Sequence, residues 1–214
     1  MSSEEATIML VDDHPLFRSG LRQLIALEEG LQVICEYSNG TDAIESAVEH
    51  DPDLIILDLN MQGIDGLETV RQMREKGVTS RVVMLTVSDN EDDVLNAISS
   101  GADGYLLKDM EPEDIVTNIK QAVLGQLALS DRLTKVLLQS CNKPKKPAQE
   151  SPLKTLTSRE LEILSLISKG MSNKLIAHEL SITDSTVKVH VKNLLKKLNV
   201  SSRLEAAVWM IDNQ

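Results

Sequence analysis

The stretch Leu54-Ile55-Ile56-Leu57-Asp58 decides the fold: four apolar residues with no polar interruption, closed by a carboxylate. A strand with one wet face alternates apolar and polar positions, whereas a strand covered on both faces is apolar throughout and belongs to a parallel sheet. The surrounding chain repeats the theme. Short β-rich runs occur at Thr7–Val11, Gln32–Glu36, Asp53–Leu57, Arg81–Thr86 and Asp103–Leu107, and amphipathic stretches lie near 16–27, 40–49, 65–76, 90–100 and 112–125. Five βα units in a row predict an α/β architecture, a five-stranded parallel sheet with helices on both faces. Ser88-Asp89-Asn90-Glu91 reads as a capping box for the fourth helix, and Glu111-Pro112 as the entry to the fifth.

In such a sheet, ligands bind beyond the carboxyl ends of the strands, where the strand order reverses. Asp12 and Asp13 end the first strand, Asp58 the third, Thr86 the fourth and Lys108 the fifth, so the polar residues gather at one edge. Taken singly, each has an ordinary structural use, since aspartates cap helices and lysines coat surfaces. Their shared position carries the functional reading. Clustered carboxylates resist ionisation unless a cation neutralises them, and Mg²⁺ accepts a few carboxylate oxygens together with phosphate oxygens. Asp58, alone on the central strand, is then the nucleophile toward a phosphoryl group, with Lys108 and the Thr86 hydroxyl stabilising the incoming oxygens.

Ser140–Pro152, containing Asn142-Lys143-Pro144-Lys145-Lys146-Pro147, breaks the pattern and reads as a linker. Beyond it the pattern is helical only. A capping box at Thr157-Ser158-Arg159-Glu160 opens a helix that Gly170 ends. A second runs from Ser172 to Leu180, a third from Thr183 or Asp184 to Leu198, and a fourth starts at Ser201 or Ser202. In the third, Val187, Val191, Leu194, Leu195 and Leu198 form a buried stripe, while Ser185, Val189, Lys192, Asn193 and Lys196 point away, with Lys188 on the boundary. A valine opposite the core suits contact with a thymine methyl, and the lysines suit guanine edges or phosphates. On the last helix, Leu204, Ala207, Val208 and Ile211 form a stripe suited to core or to a dimer contact. The expected domains are residues 1–128, a linker 129–152 with a partly helical start, and a helix-turn-helix unit 153–214.

Charge supports two functions in one chain. Residues 1–130 hold 8 Lys/Arg against 25 Asp/Glu, whereas residues 150–214 hold 9 against 7, within a net charge of −11. Nucleic acid meets the local patch, not the average. With only Cys35 and Cys141, no apolar run near the ~20 residues of a membrane span and no secretory signal at Met1, the sequence points to a cytoplasmic protein with reduced thiols.

Residues 7–125 resemble the receiver domain of two-component response regulators, a flavodoxin-like fold, through Val11-Asp12-Asp13-His14, Leu57-Asp58-Leu59-Asn60-Met61, Thr86 and Lys108. The resemblance implies that Asp58 is the phosphoacceptor and that Asp12, Asp13, Asp58 and the Asn60 carbonyl hold Mg²⁺. It makes Lys108 and Thr86 catalytic and Thr86 and Tyr105 the switch pair. The chain departs from the family at Gln62, where proline is common, and at Asp109, where many receivers have proline after the lysine. Residues 155–209 resemble the LuxR-type helix-turn-helix of the NarL/FixJ family through Leu156-Thr157-Ser158-Arg159-Glu160, Gly170, Ser172-Asn173-Lys174, Ile176-Ala177 and Ser185-Thr186-Val187-Lys188-Val189-His190. That resemblance implies base reading by Lys188, Val189 and Lys192. Phosphate contacts fall to Lys174, Ser185, Thr186, His190 and Asn193. Gly104–Met110 and the Lys188–Lys192 run are most similar to the nitrate/nitrite regulators within the family. The implied partners are a sensor histidine kinase, double-stranded DNA and, after phosphorylation, a second copy of the chain.

Three other functions fit less of the sequence. A Mg²⁺-dependent phosphatase needs a general acid two residues beyond its nucleophile, where Asn60 stands. A quorum-sensing receptor needs a pocket for an acylated signal, which the acidic strand ends do not suit. A protein-interaction adaptor explains neither Asp58 nor Lys188.

Overall fold

The computed structural model describes residues 5–125 and 155–212. Strands β1 (Ala6–Val11), β2 (Leu31–Tyr37), β3 (Leu54–Leu57), β4 (Arg81–Thr86) and β5 (Gly104–Leu107) form one parallel sheet in the order β2-β1-β3-β4-β5. They alternate with α1 (Pro15–Ala26), α2 (Gly40–His50), α3 (Gly66–Glu75), α4 (Glu91–Ser99) and α5 (Pro112–Leu124).

The all-apolar β3 is the reason both faces must be covered. Ile55 and Leu57 pack under α2, α3 and α4 with Ile44, Val70, Met73 and Val94, while Leu54 and Ile56 pack under α1 and α5 with Leu21, Ile25, Ile115 and Ile119. Each such side chain, fully withdrawn from water, contributes about 1.5–3 kcal/mol. Because β1 sits between β2 and β3, sheet growth reverses direction there, and the loops after β1 and β3 open onto a shared crevice.

The second unit consists of α6 (Ser158–Ser168), α7 (Asn173–Glu179), α8 (Asp184–Leu198) and α9 (Arg203–Asp212). The predicted capping box of α6 is present: the Thr157 side chain accepts from the Glu160 amide, and the Glu160 carboxylate accepts from the Thr157 amide at 2.7 Å. The predicted stripe of α8 is buried in full, joined by Ile163, Leu164, Ile167 and Ile176.

One expectation needs correction. Ser88 does not cap α4. Asn90 does, accepting from the Asp92 amide, because the Ser88 hydroxyl donates instead to Asp93. The α9 stripe of Leu204, Ala207, Val208 and Ile211 lines a cavity of about 440 Å³ between the two units, with Ala207 also packed against the core of its own unit and Ala206 fully buried. The linker, with its prolines Pro144, Pro147 and Pro152, and Cys141 lie outside the described residues.

The units meet at the amino-terminal edge of the sheet. Contacts come from the α2–β3 connection (Asp51 and Asp53), the first residue of β4 (Arg81), the α4–β5 connection (Asp103) and the turn after α5. At Gly125 the backbone has φ +103°, and a Cβ there would collide with the Gly170 carbonyl oxygen, so only glycine permits this approach.

Candidate functional site

At the opposite, carboxyl-terminal edge, the β1, β3 and β5 loops bring Asp12, Asp13, Asp58 and Lys108 together. Lys108 Nζ lies 2.7 Å from both Asp12 Oδ2 and Asp58 Oδ2, bridging two carboxylates that are nearly withdrawn from solvent. The aliphatic and charged end of Lys108 also packs on Phe17, its ammonium 4.8 Å from the ring centre. Burial pushes the Asp58 carboxyl above the usual carboxylate range; the Lys108 ammonium opposes that rise and the Asp12 charge adds to it.

The loops are shaped to hold these groups. The Asn60 amide faces Asp58 Oδ1 at 3.4 Å, and the Gln62 amide donates to Asp13 Oδ2 at 3.2 Å. Gly63, with φ +88°, makes the turn directly after Gln62, where the chain departs from the usual proline. Gly66 approaches so closely that a Cβ would sit 2.3 Å from the Asp58 carbonyl oxygen. Asp109 causes no special backbone, since the described peptide bonds contain no cis form.

The acidic oxygens suit a divalent cation. Ligand atoms of Asp12, Asp13, His14 and Asp58 all lie within 4.8 Å of one another. Asp13 Oδ1 is buried without a well-aligned hydrogen bond, although His14 Nδ1 approaches to 2.9 Å. A carboxylate oxygen in that state needs positive charge. His14 is the site member that sequence reasoning missed; its place directly after the aspartate pair was the only available signal.

Thr86 and Tyr105 are both fully buried. Thr86 Oγ1 accepts from the Ser88 amide at 3.3 Å, and the Tyr105 hydroxyl donates to the Ser88 carbonyl at 2.9 Å. The two side chains therefore grip the same residue of the β4–α4 loop. Burial pushes the Tyr105 phenol up to about 12.

The sequence-predicted DNA-contact residues divide into two groups. Val189, Lys192 and Asn193 are exposed on α8, Val189 at 59%. His190 is half-buried, and Ser185 and Thr186 bond through their hydroxyls to Thr183 at 2.9 and 2.8 Å. Lys188 and Lys174 instead point into the first unit. Lys188 Nζ donates to the Asp51 carbonyl at 2.8 Å and pairs with the Asp51 carboxylate at 2.9 Å; Lys174 Nζ donates to the Glu5 carbonyl at 2.7 Å and pairs with Asp53 at 3.0 Å. Lys192 lies across Gly77 and, with Asn193 and Lys196, lines an open groove of about 880 Å³ between the units.

Residues 8–120 match the response regulator receiver domain family, and residues 154–210 match the bacterial regulatory proteins of the luxR family. The chain is 52% identical over 211 residues to the nitrate/nitrite response regulator protein NarL of Escherichia coli (strain K12), spanning 98% of this chain and 97% of that one. It is 44% identical to NarP of the same organism, over 97% and 95% of the two chains. Among solved structures, the response regulator ChrA of a heme-sensing two-component system is 32% identical with a TM-score of 0.51, covering 96% of each chain.

Proposed function

The chain belongs to the response regulators that join a receiver domain to a LuxR-type DNA-binding domain, and from that premise we propose that phosphorylation of Asp58 controls DNA binding through α8. The protein is a phosphorylation-dependent transcription regulator. The proposed input is nitrate or nitrite, relayed by a sensor histidine kinase, because the relatives at 44–52% identity carry that description. Among the described residues no helix is long and apolar enough to cross a membrane, which accords with a cytoplasmic place of action.

Asp12, Asp13, Asp58 and the Asn60 carbonyl would hold Mg²⁺. When bound, the ion neutralises the carboxylates and the charge of the incoming phosphoryl oxygens. An Asp58 oxygen attacks phosphorus, the bond from phosphorus to the donor imidazole breaks, and its electron pair leaves with the imidazole. Lys108 then exchanges its carboxylate partner for a phosphoryl oxygen. Asn60 cannot act as a base toward the attacking water, so self-dephosphorylation is slow and the chain behaves as a switch, not an enzyme.

The observation that carries the reading is the placement of two sites at opposite ends of the same strands. β4 runs from Arg81, whose guanidinium reaches the Met171 carbonyl of the second unit, to Thr86 beside the acidic site. β5 runs from the connection holding Asp103, which accepts from the Leu204 amide, to Lys108. Phosphoryl oxygens that draw Thr86 inward would shift Ser88 and Tyr105 and bias the strand ends that dock the second unit. Release would free Lys188 and Lys174 for phosphates and bases, and free chains would pair on half-sites about one helical turn apart. On this account the domains divide near residues 128 and 152.

Incubation with Mg²⁺ and acetyl phosphate, followed by peptide mass spectrometry, tests the chemistry. One phosphoryl adduct at Asp58, dependent on Mg²⁺ and absent from Asp58→Ala, is expected. An adduct elsewhere, or one indifferent to the metal, would contradict it.

A further inference from the structure

His14 stands at the N-cap of α1, yet its side chain makes no capping bond there. The ring turns to the acidic site instead. Nδ1 lies 2.9 Å from Asp13 Oδ1, 3.4 Å from Asp12 Oδ1 and 3.9 Å from Asp58 Oδ2. The backbone fixes this approach: the His14 amide donates to Asp12 Oδ1 at 2.8 Å, and Pro15 opens the helix directly after it. The side chain is 70% exposed, so the imidazole can adjust its position without opening the core.

The spacings are those of a coordination shell. An octahedral ion with bonds of about 2.1 Å holds neighbouring ligand atoms about 3.0 Å apart and opposite ones about 4.2 Å apart. All three separations from Nδ1 fall between a value just under the first and the second. Asp13 Oδ1, the buried oxygen without a well-aligned hydrogen bond, is also the one nearest the ring. Donor type then decides which ion gains. Carboxylate, carbonyl and water suit Mg²⁺, whereas an imidazole nitrogen suits Fe²⁺, Ni²⁺ and Zn²⁺, and affinity rises along the first row toward Ni²⁺.

We propose that His14 Nδ1 is a further metal ligand, through which the acidic site takes a first-row transition-metal dication in place of Mg²⁺. Mg²⁺ dehydrates reluctantly and keeps water at that position. With Asp12, Asp13, Asp58 and the Asn60 carbonyl, the imidazole makes five protein donors and leaves the sixth position to a phosphoryl oxygen. The inference rests on the reading of this site as the Mg²⁺ site, and it adds the donor that changes which ions compete for it.

The test titrates the unphosphorylated full chain with Ni²⁺ and with Mg²⁺, separately and in competition, by calorimetry at one fixed pH. Wild type is expected to bind one Ni²⁺ that Mg²⁺ displaces, with an affinity at least about tenfold above that for Mg²⁺. His14→Ala should weaken Ni²⁺ binding about tenfold or more while leaving Mg²⁺ affinity within about twofold. His14→Gln, polar but without a ring nitrogen, should match it. Crystals grown with Ni²⁺ should show an anomalous peak about 2.1 Å from His14 Nδ1. Equal losses for both ions in the two variants would make His14 merely structural and overturn the proposal. Unchanged Ni²⁺ affinity, or a bound Ni²⁺ that Mg²⁺ cannot displace, overturns it as well. If wild type fails to bind Mg²⁺, the Mg²⁺ reading fails and takes this inference with it; if Mg²⁺ binds and Ni²⁺ ignores His14, only the nitrogen ligand has failed.

Discussion

Lys188 of α8 closes the carboxyl end of α2 by taking both the carbonyl and the carboxylate of Asp51, at 2.8 and 2.9 Å. Asp51 breaks two local rules to be there. It sits in the left-handed region at φ +44°, and it places a negative charge at the negative end of a helix dipole. Asp53, directly after Pro52, pairs with Lys174 through its carboxylate alone at 3.0 Å, so the α2–β3 connection presents two carboxylates to two lysines expected to meet DNA.

Asp51→Asn should therefore tighten duplex DNA binding by the unphosphorylated chain. The Asp51 side chain is 43% exposed, so solvent screening limits the effect to about 0.5–1 kcal/mol, or roughly two- to fivefold. Fluorescence anisotropy on DNA selected by the phosphorylated chain measures it. Unchanged or weaker binding would show that the pair does not restrain α8.

Asp58 is held above its ordinary pKa chiefly by burial, and the sign follows from linkage. A carboxyl raised on folding binds protons more tightly in the native state, so stability falls as pH rises from about 3.9 through the raised value. Asp58→Asn removes that loss. In Mg²⁺-free buffer at neutral pH it should melt no lower than wild type, and its stability should vary less over that acid window. A markedly lower midpoint would mean that the Lys108 pair outweighs the burial.

Mg²⁺ should raise the wild-type melting midpoint, and Asp13→Asn should reduce that rise by weakening metal affinity about tenfold or more, as loss of a charged ligand does. Thermal melts across a metal titration read both. An undiminished rise in the variant would remove Asp13 from the ligand set.

Tyr105 titrates only near pH 12, because burial favours the neutral phenol and outweighs the hydrogen bond to Ser88. Stability should then decline between about pH 10, the unfolded value, and 12. Tyr105→Phe should lose this alkaline component while costing about 1 kcal/mol at neutral pH from the unpaired Ser88 carbonyl. Alkaline unfolding followed by circular dichroism distinguishes the two chains.

Along α8 the two faces should respond oppositely. Leu194→Ala, at a fully buried position, should cost about 2–5 kcal/mol in urea unfolding. Val189→Ala, 59% exposed, should stay within about 0.5 kcal/mol yet weaken DNA binding by the phosphorylated chain.

The sheet was legible because β3 cannot be read any other way: an apolar run without alternation requires cover on both faces, and the βα repeats supply it. The acidic cluster was legible because strand ends are fixed by the same pattern, which aligned Asp12, Asp58 and Lys108 before any distance was known. The α8 stripe followed from helical period alone. Ser88 misled because a local capping signal lost to a side-chain bond with Asp93, three residues past the true cap. The Lys188–Asp51 meeting joins residues 137 positions apart, and no local periodicity encodes which surfaces dock. Asp51 left one trace, an acid at the end of a helix, but that trace names no partner.

DNA binding by the full chain, measured with and without Mg²⁺ plus acetyl phosphate and alongside Asp58→Ala, tests the central claim most directly. Binding that rises with the donor in wild type and stays flat in Asp58→Ala is the expected result. Equal binding with and without the donor would leave the helix-turn-helix unit intact and contradict control by phosphorylation.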